Sequence, residues 1–339
     1  MTIEALAPRV DAAISRGLSF LNTAQHSNGF WVDFETVPGS SDEWVSAFII
    51  SHIAGIAGSE MLVKTALSAL TKRKRSEGGW GFNLKVAPDC DSTAWVLQAL
   101  LSGPFIRPVM TRRAIDFLYE HQMEDGGFAT YREYSSQPNG NTKSITTPNG
   151  WLSSQVCVTA ATIIALLVHG ESPKKKQLLD AIIYIETNRL NSGMWSSYWW
   201  RGDSYVTYLA TLGLTWANRL TIEDISGIAD VIATNLCSNV SSSLINIKQE
   251  IFYTSYSLLT LLLSPNTMKV RSTIIEIIRA LLKEQLPDGS WPSAPILLIP
   301  ESQPGLTELI ADEGRTFTTS TALKAISQFC NYPSKIFQA

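Results

Sequence analysis

A seven-residue pattern, Q-x3-G-x-W, recurs along this chain and sets its period. Gln25-His26-Ser27-Asn28-Gly29-Phe30-Trp31 is one copy, Gln285 to Trp291 is another, and Gln122 to Phe128 ends in Phe instead. Gly78-Gly79-Trp80 and Gly193-Met194-Trp195 keep the glycine and tryptophan without the glutamine. The first glycines fall at 29, 78, 126, 193 and 289, giving intervals of 49, 48, 67 and 96. The last interval is two periods, which implies a degenerate copy near residue 241, in the polar run Ser238 to Ser243. The interval of 67 is one period enlarged by the polar insert Tyr131 to Gly150. Six units of roughly 48 residues account for the chain as one domain, 1–339.

Each unit reads as two helices. One precedes the motif, as in Arg112 to His121 or Ser272 to Glu284, with apolar residues at helical spacing. The other follows it and is apolar nearly all round, the mark of a buried helix: Trp44 to Ile56, Asp91 to Leu101, Ser153 to Val168, Asp203 to Trp216, Glu250 to Leu263 and Phe317 to Phe329. No strand pattern competes, so the expectation is an all-α chain of six helical hairpins. Periodicity alone does not decide between a closed α/α barrel and an open solenoid.

Composition narrows the function. With 27 Lys+Arg against 30 Asp+Glu there is no basic field for a phosphate backbone, which speaks against nucleic-acid partners. The runs Lys72 to Arg75 and Lys174 to Lys176 read as solvated charge. Four widely spaced cysteines, with no Cys-x-x-Cys pair, suit reduced thiols in a cytoplasmic protein better than disulfides or zinc. No signal peptide is apparent, and the most apolar stretch, Val156 to Val168, is too short to span a bilayer. The four histidines form no ligand spacing and read as structural, so neither metal nor cofactor is expected.

The inner helices align on a hydroxyl in the first turn: Ser46, Thr93, Thr159, Thr207 and Thr254. Four residues earlier stand Asp42, Asp89, Gln155, Asp203 and Glu250, a shared column that reads as helix-start capping. Two residues before the hydroxyl the column is Trp44, Asp91, Cys157, Tyr205 and Phe252. Asp91 alone breaks its aromatic or apolar character. A carboxyl in such a ring is costly to ionise and stays protonated, and Asp89 two residues away discourages double ionisation. Helix cap and buried acid both remain open for Asp91 on this ground. Tyr198, Trp199 and Trp200 lack counterparts in most repeats, which suggests either a lined pocket or core packing.

The motif copies, Gly78 to Phe82 (GGWGF), Ala87 to Trp95 (APDCDSTAW), Gly126 to Tyr131, Cys157 to Ala160 and Gly193 to Trp199 resemble the class II terpene cyclases of the squalene–hopene cyclase type. The likeness implies α/α barrels, and six hairpins suffice for one, as in the monodomain meroterpenoid cyclases. It implies that Asp91, the middle residue of Asp89-Cys90-Asp91-Ser92-Thr93-Ala94, is the proton donor and that Asp89 supports it. The family's third Asp is Ser92 here. Cavity aromatics that stabilise cations would map onto Phe82, Tyr131 and Trp199, beside the column residues Trp44, Tyr205 and Phe252. The family's acid-orienting histidine would fall at Ala161, leaving Ser92, Cys157 or a water as candidate partners.

The resemblance implies proton-initiated cyclisation of a linear polyprenyl chain, with a prenylated hydroxybenzoic acid, a free polyprene and a prenyl diphosphate as substrate classes. The chain contains no Asp-Asp pair, against metal-driven ionisation. Segments 131–150 and 292–314 are candidate lids, and Arg201 and Arg315 are head-group candidates with surface ion pairing as the alternative use. So apolar a substrate is compatible with peripheral membrane contact, and the oligomeric state stays open. The rivals are an α/α-barrel glycosidase pairing Asp91 with a carboxylate such as Asp312, a zinc-dependent prenyltransferase, for which no ligand set appears, and a non-catalytic lipid-binding toroid.

Overall fold

The computed structural model describes residues 3–103, 108–132, 148–238, 251–264, 268–303 and 306–330. Six inner helices, α2 (Glu43–Ile53), α4 (Cys90–Ser102), α6 (Val156–His169), α8 (Ser204–Trp216), α10 (Ile251–Leu261) and α12 (Thr316–Cys330), alternate in the chain with α1 (Ile3–Ala24), α3 (Glu60–Lys72), α5 (Pro108–Glu120), α7 (Lys176–Thr187), α9 (Ile222–Ser238) and α11 (Met268–Glu284). Each inner helix packs on the next, and α12 packs back on α2. The ring is closed. The other six form an outer layer, with α3, α5 and α7 on α2, α4 and α6, and with α1 on α12 and α11. The division follows sidedness: α6 buries every residue from Cys157 to Leu166, whereas α3 buries only Leu62, Val63, Ala66, Ala69 and Leu70.

The repeated motif is a pin with contacts in three directions. Its aromatic residue donates a backbone N–H to the aligned hydroxyl of the following inner helix: Trp31 to Ser46 at 2.8 Å, Trp80 to Thr93 at 3.0 Å, Phe128 to Thr159 at 2.8 Å and Trp195 to Thr207 at 3.3 Å. Trp291 does the same to Thr319 at 3.1 Å, a sixth member of the hydroxyl column that the sequence alignment omitted. The indole N–H reaches back to the preceding outer helix, as from Trp80 to the Leu70 carbonyl at 2.8 Å and from Trp291 to Leu281 at 2.8 Å. The glutamine amide reaches forward to the next outer helix: Gln25 to Leu62, Gln122 to Gln177, and Gln285 to Ala13 of α1. That last bond joins the end of the chain to its start. Gly289 explains the glycine: φ is +90° and a Cβ would fall 2.3 Å from the Arg16 carbonyl oxygen. The degenerate copy near 241 lies outside the described residues, as does Glu250.

Three expectations change. Strands are present: β1 (Asp33–Thr36) pairs with β2 (Gly39–Ser41), and β3 (Pro295–Gln303) with β4 (Leu306–Ala311), both antiparallel. The second hairpin occupies the candidate lid segment 292–314. Leu297 pairs with Trp200, Trp151 Nε1–H donates to the Pro300 carbonyl at 2.8 Å, and the Tyr253 hydroxyl donates to Ile296 at 3.1 Å. These partners precede or open α6, α8 and α10, so the hairpin lies across the N-terminal ends of the inner helices. Of the other segment, residues 133–147 lie outside the described residues.

The shared acidic column does not cap uniformly. Asp89 caps α4, but Asp42 and Asp203 make no side-chain cap bond; Asp42 pairs with Arg73 at 3.3 Å and Asp203 receives the Ser197 N–H. The basic run at 72–75 is also more than solvated charge. Arg75 lies 2.6 Å and Arg73 3.3 Å from the carboxylate of fully buried Glu43, which also receives the Gly81 N–H. Among the described residues no helix is long and apolar enough to cross a membrane.

Thr319→Val keeps the volume and strands the buried Trp291 N–H, so it is expected to cost about 1–3 kcal/mol in denaturant unfolding. Thr93→Val should cost a similar amount, since it breaks the same bond in another repeat. An unchanged midpoint in both would remove the pin from the account of stability.

Candidate active site

The site begins at the first turn of α4. Asp89 precedes the helix in extended backbone, and its carboxylate accepts the Ser92 N–H at 2.7 Å and the Ser92 hydroxyl at 2.6 Å. Ser92 is therefore committed to Asp89, and its expected role beside Asp91 is corrected. The Asp89 N–H donates to Trp80 and the Cys90 N–H to Thr130, which fixes the helix start between two motif loops.

Asp91 is crowded by protein from all sides yet keeps some accessible surface. Burial, then the Asp89 charge, pushes it up to about 8, with the Trp44 indole N–H as the opposing influence. Burial also raises Asp89, to about 7, against its two bonds from Ser92. The Asp91 charge is felt by Tyr131, Tyr205, Tyr256 and Cys157, all raised chiefly by burial. One carboxyl thus faces groups from α2, α6, α8, α10 and the loop after Gly126.

Phe82, Tyr131 and Trp199 share with Asp91 the property of residual accessible surface in a buried setting. Trp199 donates its indole N–H to the Thr130 hydroxyl at 2.9 Å and packs on Trp151 at 5.2 Å, which in turn stacks on Tyr131 at 6.0 Å. Phe82 stacks on Trp44 at 6.0 Å. The column residues Trp44, Tyr205 and Phe252 are buried and meet through Trp200, whose ring lies 5.9, 4.5 and 4.9 Å from theirs. Phe317 completes this wall, 5.1 Å from Trp44. It stands two residues before Thr319, so continuing the register into the last repeat would have found it. Trp151 carried no such signal.

Ala161 is buried and brings no polar side chain toward the acid. Cys157 is buried close enough to feel the Asp91 charge, but its thiol makes no hydrogen bond to Asp91. By contrast, Trp44 Nε1, Trp95 Nε1 and the Tyr205 hydroxyl are buried without hydrogen-bond partners. Trp44 and Tyr205 both face Asp91, and Trp95 stands beside Tyr205. The Trp44 indole favours the charged carboxyl without completing a hydrogen bond to it. Unpartnered donors around a neutral acid are groups that gain a partner once the acid becomes a carboxylate.

The two head-group candidates separate. Arg315 lies 2.9 Å from the Asp288 carboxylate and donates to the Ser290 hydroxyl at 2.7 Å, so it serves the last motif. Arg201 is exposed, over the Tyr253 ring at 5.7 Å, with its N–H on Ile296 of β3. Asp312, the second carboxylate of the glycosidase reading, is fully buried and accepts the Ala294 and Thr318 N–H groups at 3.0 and 2.9 Å. It organises the start of α12 and does not face Asp91 across a cleft. Among the described residues no group of three or more His, Cys, Asp or Glu could hold a metal ion.

Residues 69–226 match the squalene-hopene cyclase C-terminal domain family. In sequence and fold the chain is similar to the squalene–hopene type of terpene cyclase. A drimenyl diphosphate synthase from Streptomyces showdoensis is 27% identical over 150 residues, 43% of this chain and 24% of that protein. The chain therefore spans about a quarter of that relative's length. The type II terpene cyclase MstE from Scytonema, solved as a variant with its substrate geranylgeranyl dihydroxybenzoate, superposes with a TM-score of 0.84 at 22% identity, covering 98% of this chain and 100% of that one. An alpha-amylase from Clostridium perfringens reaches 0.61 at 12% identity over 94% of this chain and 97% of its own. The barrel by itself therefore does not select a chemistry, and the residues around Asp91 must.

Asp91 binds its proton more tightly folded than unfolded, so its contribution to stability is complete below about pH 4 and is lost as pH rises through about 8. Asp91→Asn, which never ionises, should melt at a higher temperature than the wild type at pH 9. The advantage should shrink toward pH 4. Parallel melting curves across that range would show that Asp91 ionises freely.

Proposed function

We propose that the protein is a class II terpene cyclase in which Asp91 protonates an alkene of a linear polyprenyl chain, and that the chain is carried by an aromatic acid of the prenylated hydroxybenzoate type. The observation that carries this reading is a carboxyl held neutral near pH 7 in a ring otherwise made of aromatic and apolar residues. An unactivated alkene is a poor base, so its protonation needs an acid that is un-ionised at rest and whose conjugate base is stabilised as it forms. Burial supplies the first condition. The Trp44 N–H and Tyr205 hydroxyl supply donors for the second, and Asp89, already satisfied by Ser92, remains a local negative charge or a shared proton site.

Proton transfer leaves a carboxylate on Asp91 and a tertiary cation on the substrate. Neighbouring alkenes attack in turn, each forming a carbon–carbon bond, until a final proton loss returns one proton and makes product an isomer of substrate. Every cation must be stabilised by groups that cannot trap it. The faces and edges of Phe82, Tyr131 and Trp199, backed by Trp44, Tyr205 and Phe252, provide cation–π attraction of about 2 kcal/mol each when desolvated. A dry space also preorganises the folded chain.

The hairpin of β3 and β4 closes the mouth above Asp91 in this reading, and Arg201 beside β3 receives the substrate's carboxylate. The aromatic-acid assignment rests on the substrate of the Scytonema protein and on an exposed arginine at that mouth. A prenyl diphosphate is the second reading, favoured by the Streptomyces relative. Access to an apolar substrate from a membrane surface fits either.

Incubation in heavy water with geranylgeranyl dihydroxybenzoate, farnesylated hydroxybenzoic acid, squalene and geranylgeranyl diphosphate tests this directly. The expected product carries one non-exchangeable deuterium, and Asp91→Asn lowers its formation by at least about 10²-fold. The rate should fall as pH rises through the acid's value of about 8. Trp44→Phe keeps the ring and deletes the donor, and should lower kcat about 10- to 100-fold, as for a lost hydrogen bond to a charged group. Deuterated product at equal rates from Asp91→Asn would dismiss the acid.

A further inference from the structure

The barrel has a second mouth. At the C-terminal ends of the inner helices a pocket of about 180 Å³ opens between Trp95, Leu101, Leu209, Leu212 and Trp216, with Lys324 of α12 in its wall. Asp91 occupies the other end of α4, so this pocket is separate from the site above; Trp95, midway along α4, is the wall that both share.

Lys324 is out of place there. The residue is part-buried where it lines the pocket, and its side chain makes no hydrogen bond or ion pair with any of the described residues. The Tyr208 ring lies 5.7 Å from its ammonium. His52 also feels the Lys324 charge, but an imidazole offers no counter-charge, and its two nitrogens are taken by the Phe48 carbonyl and the Tyr256 hydroxyl. Burial alone pushes the lysine down to about 8. An ammonium in apolar surroundings with no counter-charge is costly, and an anion entering the pocket would relieve that cost. The rim is apolar and open: Val168 is 42% and Trp216 46% exposed. An apolar collar over one desolvated cation selects a ligand with an apolar body and one negative charge. A dianion would leave one charge uncompensated against those walls.

We propose that this pocket is a second ligand site, taking a small organic monocarboxylate with an aromatic or branched apolar body, its carboxylate on Lys324 and its body against Trp95, Tyr208 and Trp216. The polar atoms nearby fit a site of low demand. Ser51, Ser102 and Gln98 already donate to backbone carbonyls, leaving the ammonium hydrogens, with the unpartnered Trp95 N–H in the shared wall, as the free donors.

The test uses the full chain with benzoate, its neutral isostere benzamide and the dianion phenylphosphonate, read by tryptophan fluorescence and thermal shift. Benzoate should bind at least tenfold more tightly than either analogue. Lys324→Met, which removes a buried charge and retains the stem, should fold and lose at least tenfold in benzoate affinity, and Trp216→Ala should weaken binding at the rim. Arg201→Gln, at the opposite mouth, should leave the affinity unchanged. Equal binding of benzamide, undiminished binding by Lys324→Met, or a loss at Arg201→Gln in place of Lys324→Met would overturn the proposal, as would no binding by the wild type.

Discussion

The fold depends on a hydrogen bond between a motif backbone N–H and a threonine or serine one turn into the next inner helix. That N–H is buried where no water reaches it, and no neighbouring strand or helix supplies a carbonyl. The hydroxyl at positions 46, 93, 159, 207 and 319 is the partner in each described repeat. Because a hydroxyl also donates, Ser46 and Thr93 return a bond to the carbonyls of Trp31 and Trp80. The indole and glutamine bonds then fix the preceding and following outer helices to the same point. A chain pinned in three directions every 48 or so residues has its inner-helix register set to within one residue. Closure follows when the last pin finds α1.

That register is what isolates the acid. With the hydroxyls aligned, the residue two positions earlier faces inward in every repeat, giving the ring Trp44, Asp91, Cys157, Tyr205, Phe252 and Phe317. Five of the six are apolar or aromatic, so the sixth has no cation beside it to stabilise its charge. Arg73 and Arg75 are spent on buried Glu43, one residue away from Trp44. Burial raises Glu43 as well, but against bonds from Arg75 and Gly81, whereas Asp91 has no cation to oppose its desolvation.

The six helical hairpins, the hydroxyl column and the odd position of Asp91 were legible in the sequence because they repeat, and repetition lets each residue be judged against its counterparts; closure of the ring was not, since periodicity fits an open solenoid equally. What does not repeat was read poorly. The β3–β4 hairpin sits in one loop only, and its PILLIPE run, with a proline inside, resembles a loop until Trp200 and Trp151 bond to it. The charge run at 72–75 looked solvated because its partner, Glu43, lies some thirty residues earlier on another helix. Ser92 follows Asp91 directly, but its hydroxyl turns back toward Asp89, a consequence of capping geometry and not of spacing. Trp44 was recognisable as an aromatic wall. That its N–H is unpartnered and turned toward the acid follows from rotamer and packing, which no pattern encodes.

Those unpartnered donors are where stability and chemistry meet. Trp44 Nε1, Trp95 Nε1 and the Tyr205 hydroxyl each forfeit on the order of 1–3 kcal/mol by being buried without an acceptor. A loosely specified barrel would shed that cost by shifting its helices, and the pins oppose this, since the ring cannot shift register without breaking bonds in several repeats at once. In the proposed reaction that cost is relieved when Asp91 becomes a carboxylate, the moment at which an alkene must accept its proton. An acid with satisfied neighbours would be equally neutral at rest but would gain less on ionising. In this barrel the incomplete hydrogen bonding around the carboxyl and the complete hydrogen bonding of the motifs are two parts of one design, because the second makes the first sustainable.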